Sequence, residues 1–287
     1  YDVASIFRSE YFQASIGEHV RVLVDGDVVP VPGASGVEVI GAPWFTKRPD
    51  ADLCDRALRE LDVVDGRQRI LVAHGQVDTI APDKAQPGVI ATAALEAALM
   101  DGRIQYAALG DRHSVTSVGE SGRIWYSGAS LATDFDEVDP NHVLVVTLDR
   151  ERAGVEKRRV GNWQFDAADF AINGDEDLER MQRWLNSFER KERAVLKVGL
   201  TGSVSLALAA TIDGLMAEQA QRFASLRLRE RTSDLAVVPD SLDREPLGLQ
   251  GYVASAWDEL AACSDSDPAA RDALRLLYRL AASRVSQ

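Results

Sequence analysis

Two hydrophobic patterns share this chain. Up to about residue 172, apolar positions fall mostly in short runs or alternations, a pattern that reads as strands. His19–Val24, Val29–Val31 and Val37–Trp44 read this way, with Asp25-Gly26-Asp27 punctuating a hairpin. Arg69–Ala73 and Ile104–Leu109 are continuous enough to be buried strands. Further short strands are expected near 115–119, 123–127, 142–148 and 155–161. Helical spacing covers Asp50–Leu61, and an Ala- and Leu-rich helix of about 89–101 follows Pro87-Gly88.

Beyond about residue 172 the helical period takes over. Asp175-Glu-Asp177 opens a helix with Leu178, Met181, Trp184, Leu185 and Phe188 on one face, ending at Arg190-Lys191. Ala194–Leu200 reads as a strand, Ser205–Phe223 as a helix, and Leu226–Arg229 as a strand with one wet face. Asp267-Pro268 is a strong helix start, with Asp as cap and Pro in the first turn; that helix runs to about Ser283. The expected organisation is a β-rich α/β domain over 1–172 and a smaller α+β domain over 173–287.

Composition narrows the function classes. With 287 residues and 46% of them apolar, the chain can bury a large core. Its longest apolar stretch, Gly88–Met100, is too short and, with Glu96 inside it, too polar to span a bilayer. Tyr1-Asp-Val-Ala-Ser5 has no basic and apolar leader pattern. The formal charge of −13 excludes a non-specific nucleic-acid coat, which would rest on Lys and Arg. It does not exclude a nuclease whose metal cations offset its own carboxylates. Cys54 and Cys263 are far apart and in no Cys-x-x-Cys pair, which reads as two reduced thiols in a cytoplasmic protein.

The candidate chemistry rests on few residues. Of four histidines, His74 follows one buried strand in Ala-His-Gly and His113 follows another in Gly-Asp-Arg-His. Both thus stand at the carboxyl ends of apolar strands, where α/β sheets place their sites. Asp111 and His113, two apart, suit one tight loop. Imidazole with carboxylate is a ligand set for manganese, iron or zinc. On spacing alone, a hydrogen-bonded histidine and a loop residue remain open. His19 and His142 read as ordinary strand-start residues. No Gly-x-Ser-x-Gly elbow, Walker loop or His-Glu-x-x-His is present.

Three segments in order carry a resemblance: Ile70-Leu-Val-Ala-His-Gly75, Gln105-Tyr-Ala-Ala-Leu-Gly-Asp-Arg-His-Ser114 and Trp125-Tyr-Ser-Gly-Ala-Ser130. With Tyr1–Phe7 and Val39–Trp44 upstream, they resemble the calcineurin-like metallophosphoesterases. More narrowly, they resemble DNA repair exonucleases of the SbcD type, nuclease partners of an SMC-like ATPase. The resemblance implies a metallophosphoesterase-type β-sandwich core flanked by helices, then a capping domain that positions duplex DNA. It implies two divalent metal ions, most often Mn2+. His74 matches the strand-end histidine ligand, and His113 the second histidine of the family's Gly-His-x-His. Asp111 stands where the first of those histidines is usual, a substitution that changes the site's charge.

The same resemblance implies that the Asp-x-His, Gly-Asp and Gly-Asn-His motifs, with the proton-donating histidine, precede residue 1. The chain is therefore expected to be an N-terminally truncated member. Tyr126 and Ser127 lie where the family brings a loop near the substrate, Arg112 reads as a phosphate contact or a solvent-facing residue, and Arg222, Arg227, Arg229 and Arg231 as a phosphate track or a solvated face. Leu274, Leu277, Tyr278 and Leu280-Ala281 read as core or as a surface for the ATPase. The implied activity is hydrolysis of DNA phosphodiesters in double-strand break repair, and a homodimer stays open. The alternatives are a phosphodiesterase for small nucleotides and a non-catalytic remnant.

Overall fold

The computed structural model describes residues 7, 9–15, 20–46, 48–63, 66–149, 152–238, 248–264 and 266–285. They fall into two units, Tyr1–Asn162 and Trp163–Gln287. The first opens with a short helix, α1 (Glu10–Ser15), then β1 (Val28–Pro30) and β2 (Val37–Ala42). Helix α2 (Leu53–Arg59), strand β3 (Gln68–His74), helix α3 (Thr92–Met100) and strand β4 (Tyr106–Gly110) follow. The short strands β5 (Thr116–Val118) and β6 (Ile124–Tyr126) complete one sheet in the order β1-β2-β3-β4-β6-β5. The four central strands are parallel and the two edge strands antiparallel. A separate antiparallel ribbon joins β7 (His142–Leu148) to β8 (Ala153–Arg159).

Alternation decides which face of this sheet is dry. Ile40, Leu71, Ala73, Ala107, Leu109 and Ile124 pack with Leu58 of α2 and Leu95, Ala98 and Leu99 of α3 into one core. On β3 the intervening Val72 and His74 are exposed, as a period of two requires. Asp52 caps α2 by accepting from the amides of Cys54 and Asp55 at 2.9 and 3.1 Å. Its other oxygen accepts from Ala91 N, just before α3, which ties the two helix starts together. Glu96, the polar residue inside the apolar run, accepts from the amides of Glu120 and Ser121 and so holds the β5–β6 turn.

The amino end of the sheet is closed by charge. Arg69 donates to Glu38 on the neighbouring strand at 3.0 and 3.2 Å and to the carbonyls of Asp62 and Arg103, and both side chains are buried. Burial alone would raise the Glu38 carboxyl; hydrogen bonds from Arg67 and Arg69 outweigh it and hold the group below the usual carboxylate range. The carboxyl end carries the candidate chemistry.

The second unit starts with β9 (Gln164–Ala171), followed by α4 (Asp175–Asn186), β10 (Ala194–Val204), α5 (Leu206–Ala220), β11 (Ser225–Leu228) and β12 (Asp234–Val237). The long β10 pairs in parallel with β9 along one edge and with β11 and then β12 along the other. Helices carry the chain from β9 to β10 and from β10 to β11. This is α/β construction, where the sequence suggested α+β. Eight residues of β9 pair with β10, so the break between units falls at Asn162 and not after residue 172. Phe170, Ile172, Leu178, Met181, Leu185, Leu196, Val198 and Ile212 form its core.

Helices α6 (Gly251–Cys263) and α7 (Pro268–Val285) close this unit, with Trp257, Leu274 and Ala281 buried together. Leu277 and Tyr278 pack against that cluster, while Leu280 is exposed. Of the four arginines read as a phosphate track, Arg222 pairs with Glu218 at 3.0 Å and Arg229 with Asp169 at 3.1 Å; Arg227 and Arg231 are exposed.

Two expectations from the first unit change. Val20–Val24 forms no strand despite its alternation, and His19 lies outside the described residues. The hairpin turn is Val31–Gly36, closed by Val31 N donating to Val37 O, and not Asp25–Asp27. Among the described residues, no helix is long and apolar enough to cross a membrane.

Both cysteines are free, Cys54 buried and Cys263 exposed. Burial pushes the Cys54 thiol well above its ordinary range, and the nearby Asp52 charge adds to this. A thiol reagent added to the native protein is therefore expected to modify Cys263 quickly and Cys54 only after unfolding. Mass spectrometry of the labelled peptides checks the order.

Candidate functional site

Register builds the centre of the site. β3 and β4 are parallel neighbours, and His74 pairs with Gly110 across them. His74 and Asp111 therefore leave the sheet side by side, with His74 Nε2 3.6 Å from Asp111 Oδ1. Gly110 makes that approach possible, since a Cβ there would sit 3.0 Å from His74 Nδ1. Asp111 itself has φ 102°, a left-handed conformation that side chains rarely adopt. Such strain costs roughly 1–3 kcal/mol and persists where the surroundings hold it, often at functional positions.

The turn after His74 is fixed from below. Tyr126, from β6, is 1% exposed; its hydroxyl donates to Gly75 O at 2.7 Å and accepts from Val77 N at 3.1 Å. Gly75 N donates back to Gly110 O at 3.2 Å. Trp44, just past β2, meets the His74 ring in a T-shaped contact with centroids 5.2 Å apart. Tyr126 thus holds the turn that carries His74, and its polar atom is already committed to backbone.

Tyr126→Phe is expected to cost about 1–3 kcal/mol, because the buried Gly75 carbonyl and Val77 amide lose their partner. It should also change the alkaline limb of stability. Burial pushes Tyr106 and Tyr126 up to about 12. Unfolded tyrosines ionise at about pH 10, so this stability is whole below about pH 10 and is lost as pH rises toward 12. Removing Tyr126 makes that loss shallower, which urea midpoints across the range would show.

His113 takes another course. Its Nδ1 lies 2.8 Å from Glu137 Oε1 in the loop after β6. Glu137 Oε2 accepts from Thr133 N at 2.9 Å, and the Thr133 hydroxyl donates to Oε1. Burial alone would raise the Glu137 carboxyl; the bonds from Thr133 and His113 outweigh it and keep the group low. Spacing did not single out Glu137. Its signal in the sequence was the acidic run Asp134-Phe-Asp-Glu137 after Gly128.

Two clefts open beside the strand ends. One of about 300 Å³ is lined by Gln76, Arg112, His113, Asp134, Asp136 and Glu137 among others. The other, of about 570 Å³, takes in Trp44, Arg48, Gln76, Pro87 and Asp111. Arg112 borders the first, its Nε donating to Thr116 Oγ1 at 2.7 Å. Ser127 is exposed and borders a third hollow with His74 and Gly110.

The donor set can be tested against a metal. Two donors on one ion, each bonded at about 2.1 Å, lie roughly 3.0–3.5 Å apart. His74 and Asp111 come close to that spacing at 3.6 Å. Among the described residues, no three His, Cys, Asp or Glu side chains gather tightly enough to hold an ion. The structure therefore brings together His74 and Asp111 as a two-donor corner, and His113 stands bonded to Glu137.

The chain is 25% identical over 231 residues to the DNA double-strand break repair protein Mre11 of Haloferax volcanii. That alignment covers 75% of this chain and 50% of the relative, so the chain spans about half the length of the curated relative it matches. No protein-family model matches the chain. This likeness and the mixed α/β sheet of the first unit are compatible with the resemblance read from the sequence.

Proposed function

We propose that this chain carries part of the active site of a metal-dependent phosphodiesterase, a DNA exonuclease subunit acting in double-strand break repair. The observation that supports it most is the convergence of His74 and Asp111 at the carboxyl ends of adjacent parallel strands. The likeness to Mre11 favours DNA as the substrate. His74, Asp111 and His113 would serve as ligands, and the cofactors would be two divalent ions, with Mn2+ the preferred metal.

Electrostatics supports the cation. The cleft beside His113 has Asp134, Asp136 and Glu137 against Arg112 alone among charged residues. Such a surface repels a bare phosphodiester and attracts a divalent ion. When bound, the ions supply an acidified water and neutralise charge on the reacting phosphate. The chain's own residues do the holding. His74 and Asp111 present donors from a rigid sheet edge, Tyr126 keeps the turn beneath His74 in place, and Arg112 and Ser127 face the substrate side. The second unit would be the capping domain and contact an SMC-like ATPase, and two free thiols suit a cytoplasmic setting.

Blunt duplex DNA and bis(p-nitrophenyl) phosphate, each with Mn2+, test the reading. The proposal expects nucleotide release from the duplex. Turnover of the small diester alone would move the substrate class to small nucleotides, and turnover of neither, together with no Mn2+ binding in a calorimetric titration, would remove the enzymatic reading.

A further inference from the structure

We propose that Glu137 is the positioning residue for His113, fixing its ring in the tautomer that carries the proton on Nδ1 and leaves the Nε2 lone pair for a cation. The use of that lone pair rests on the ligand reading of His113. The positioning itself rests on geometry alone.

The asymmetry of the pair carries the argument. The Glu137 side chain is 3% exposed, whereas His113 is 60% exposed. An ionised carboxylate only accepts hydrogen bonds, so the 2.8 Å contact makes Nδ1 the donor and leaves Nε2 an acceptor. Thr133 grips both Glu137 oxygens, through its amide and its hydroxyl, which removes the carboxylate's freedom to turn away.

The loop bearing Glu137 is docked on the His113 segment at both ends. Ala129 N donates to His113 O at 2.8 Å, and Val138 N donates to Ser114 Oγ at 2.8 Å. Gly128, at φ +72°, lies so close that a Cβ would meet His113 O at 2.9 Å. A buried carboxylate held by two bonds from the backbone and hydroxyl of Thr133 is already satisfied without the imidazole. Its further bond to the exposed ring, with the Thr133 hydroxyl 3.3 Å from the same nitrogen, fixes the orientation of that ring. Metal-binding histidines are commonly oriented this way, by a carboxylate on the ring nitrogen that does not bind the metal.

The test is long-range proton–nitrogen NMR of the whole chain with labelled histidine, at about pH 9, above the ordinary imidazole range. Only four histidines are present, and His113→Ala identifies the relevant signals. The expected result is the Nδ1–H tautomer at His113, its loss in Glu137→Ala, and its partial retention in Glu137→Gln, whose carbonyl can still accept. Thr133→Val removes the hydroxyl that holds Glu137 and lies 3.3 Å from His113 Nδ1, and should weaken the preference, which serves where Glu137→Ala does not fold. Calorimetric titration with Mn2+ alone should show affinity falling about 10- to 100-fold in Glu137→Ala.

An Nε2–H tautomer at His113 in the unaltered protein would overturn the proposal. So would a tautomer ratio unmoved by folded Glu137 and Thr133 variants. If the ratio moves but His113→Ala binds Mn2+ with full strength, positioning by Glu137 stands and the ligand reading of His113 fails.

Discussion

His74→Ala is expected to reduce Mn2+-dependent phosphodiester hydrolysis by more than the roughly 10- to 100-fold typical of losing a ligand's supporting partner. The side chain is exposed at a strand end, so its removal should leave the melting temperature nearly unchanged. Asp111→Gly sharpens the same test. It removes the second donor of the 3.6 Å pair and also relieves a backbone held at φ 102°. Glycine adopts that conformation without strain, although it adds freedom to the unfolded chain. Metal binding and activity should therefore fall with no loss of stability. A structural role for Asp111 predicts the opposite, a destabilised protein that still binds metal. Calorimetric metal titration and thermal melts on the same preparations separate the two.

The second large effect concerns the scaffold. Leu71 lies in the middle of β3, 0% exposed, in the core shared by the sheet, α2 and α3. Leu71→Ala removes buried apolar surface and leaves a cavity that a sheet clamped by parallel strands on both sides collapses poorly around. A loss of about 2–5 kcal/mol is expected, read as a lower urea midpoint. Val72→Ala on the same strand removes a half-exposed side chain and should cost far less. Equal costs at the two positions would contradict the assignment of the dry face.

Much of this was legible because it is local. The continuous apolar runs became β3 and β4, and the acidic opening and apolar stripe from Asp175 became α4. Ser205 and Asp52 cap the helices that follow them. The strand-end placement of His74 and Asp111 was also visible, since each follows its strand directly. Their 3.6 Å contact was not, because it depends on the register of strands that a whole helix separates.

What the pattern missed lacked a local signature. β9 mixes aspartates with alanines over Gln164–Ala171 and is a strand because β10 pairs with all eight residues. α6 begins after Gln250 with no side-chain cap to announce it. Val20–Val24 alternates well, yet alternation alone makes no strand without a partner ladder. The bond from His113 to Glu137 spans 24 positions, beyond the reach of any helical or strand period. Arg222 and Arg229 looked available for phosphate, but Glu218 accepts from the first within a helical turn and Asp169 from the second across the intervening β10.

The most direct test is a crystal of this chain grown with Mn2+, with anomalous scattering recorded at the manganese edge. The account predicts a peak within about 2.2 Å of both His74 Nε2 and Asp111 Oδ1, the distance of a direct bond. A manganese-loaded crystal with no peak between these two atoms would contradict it.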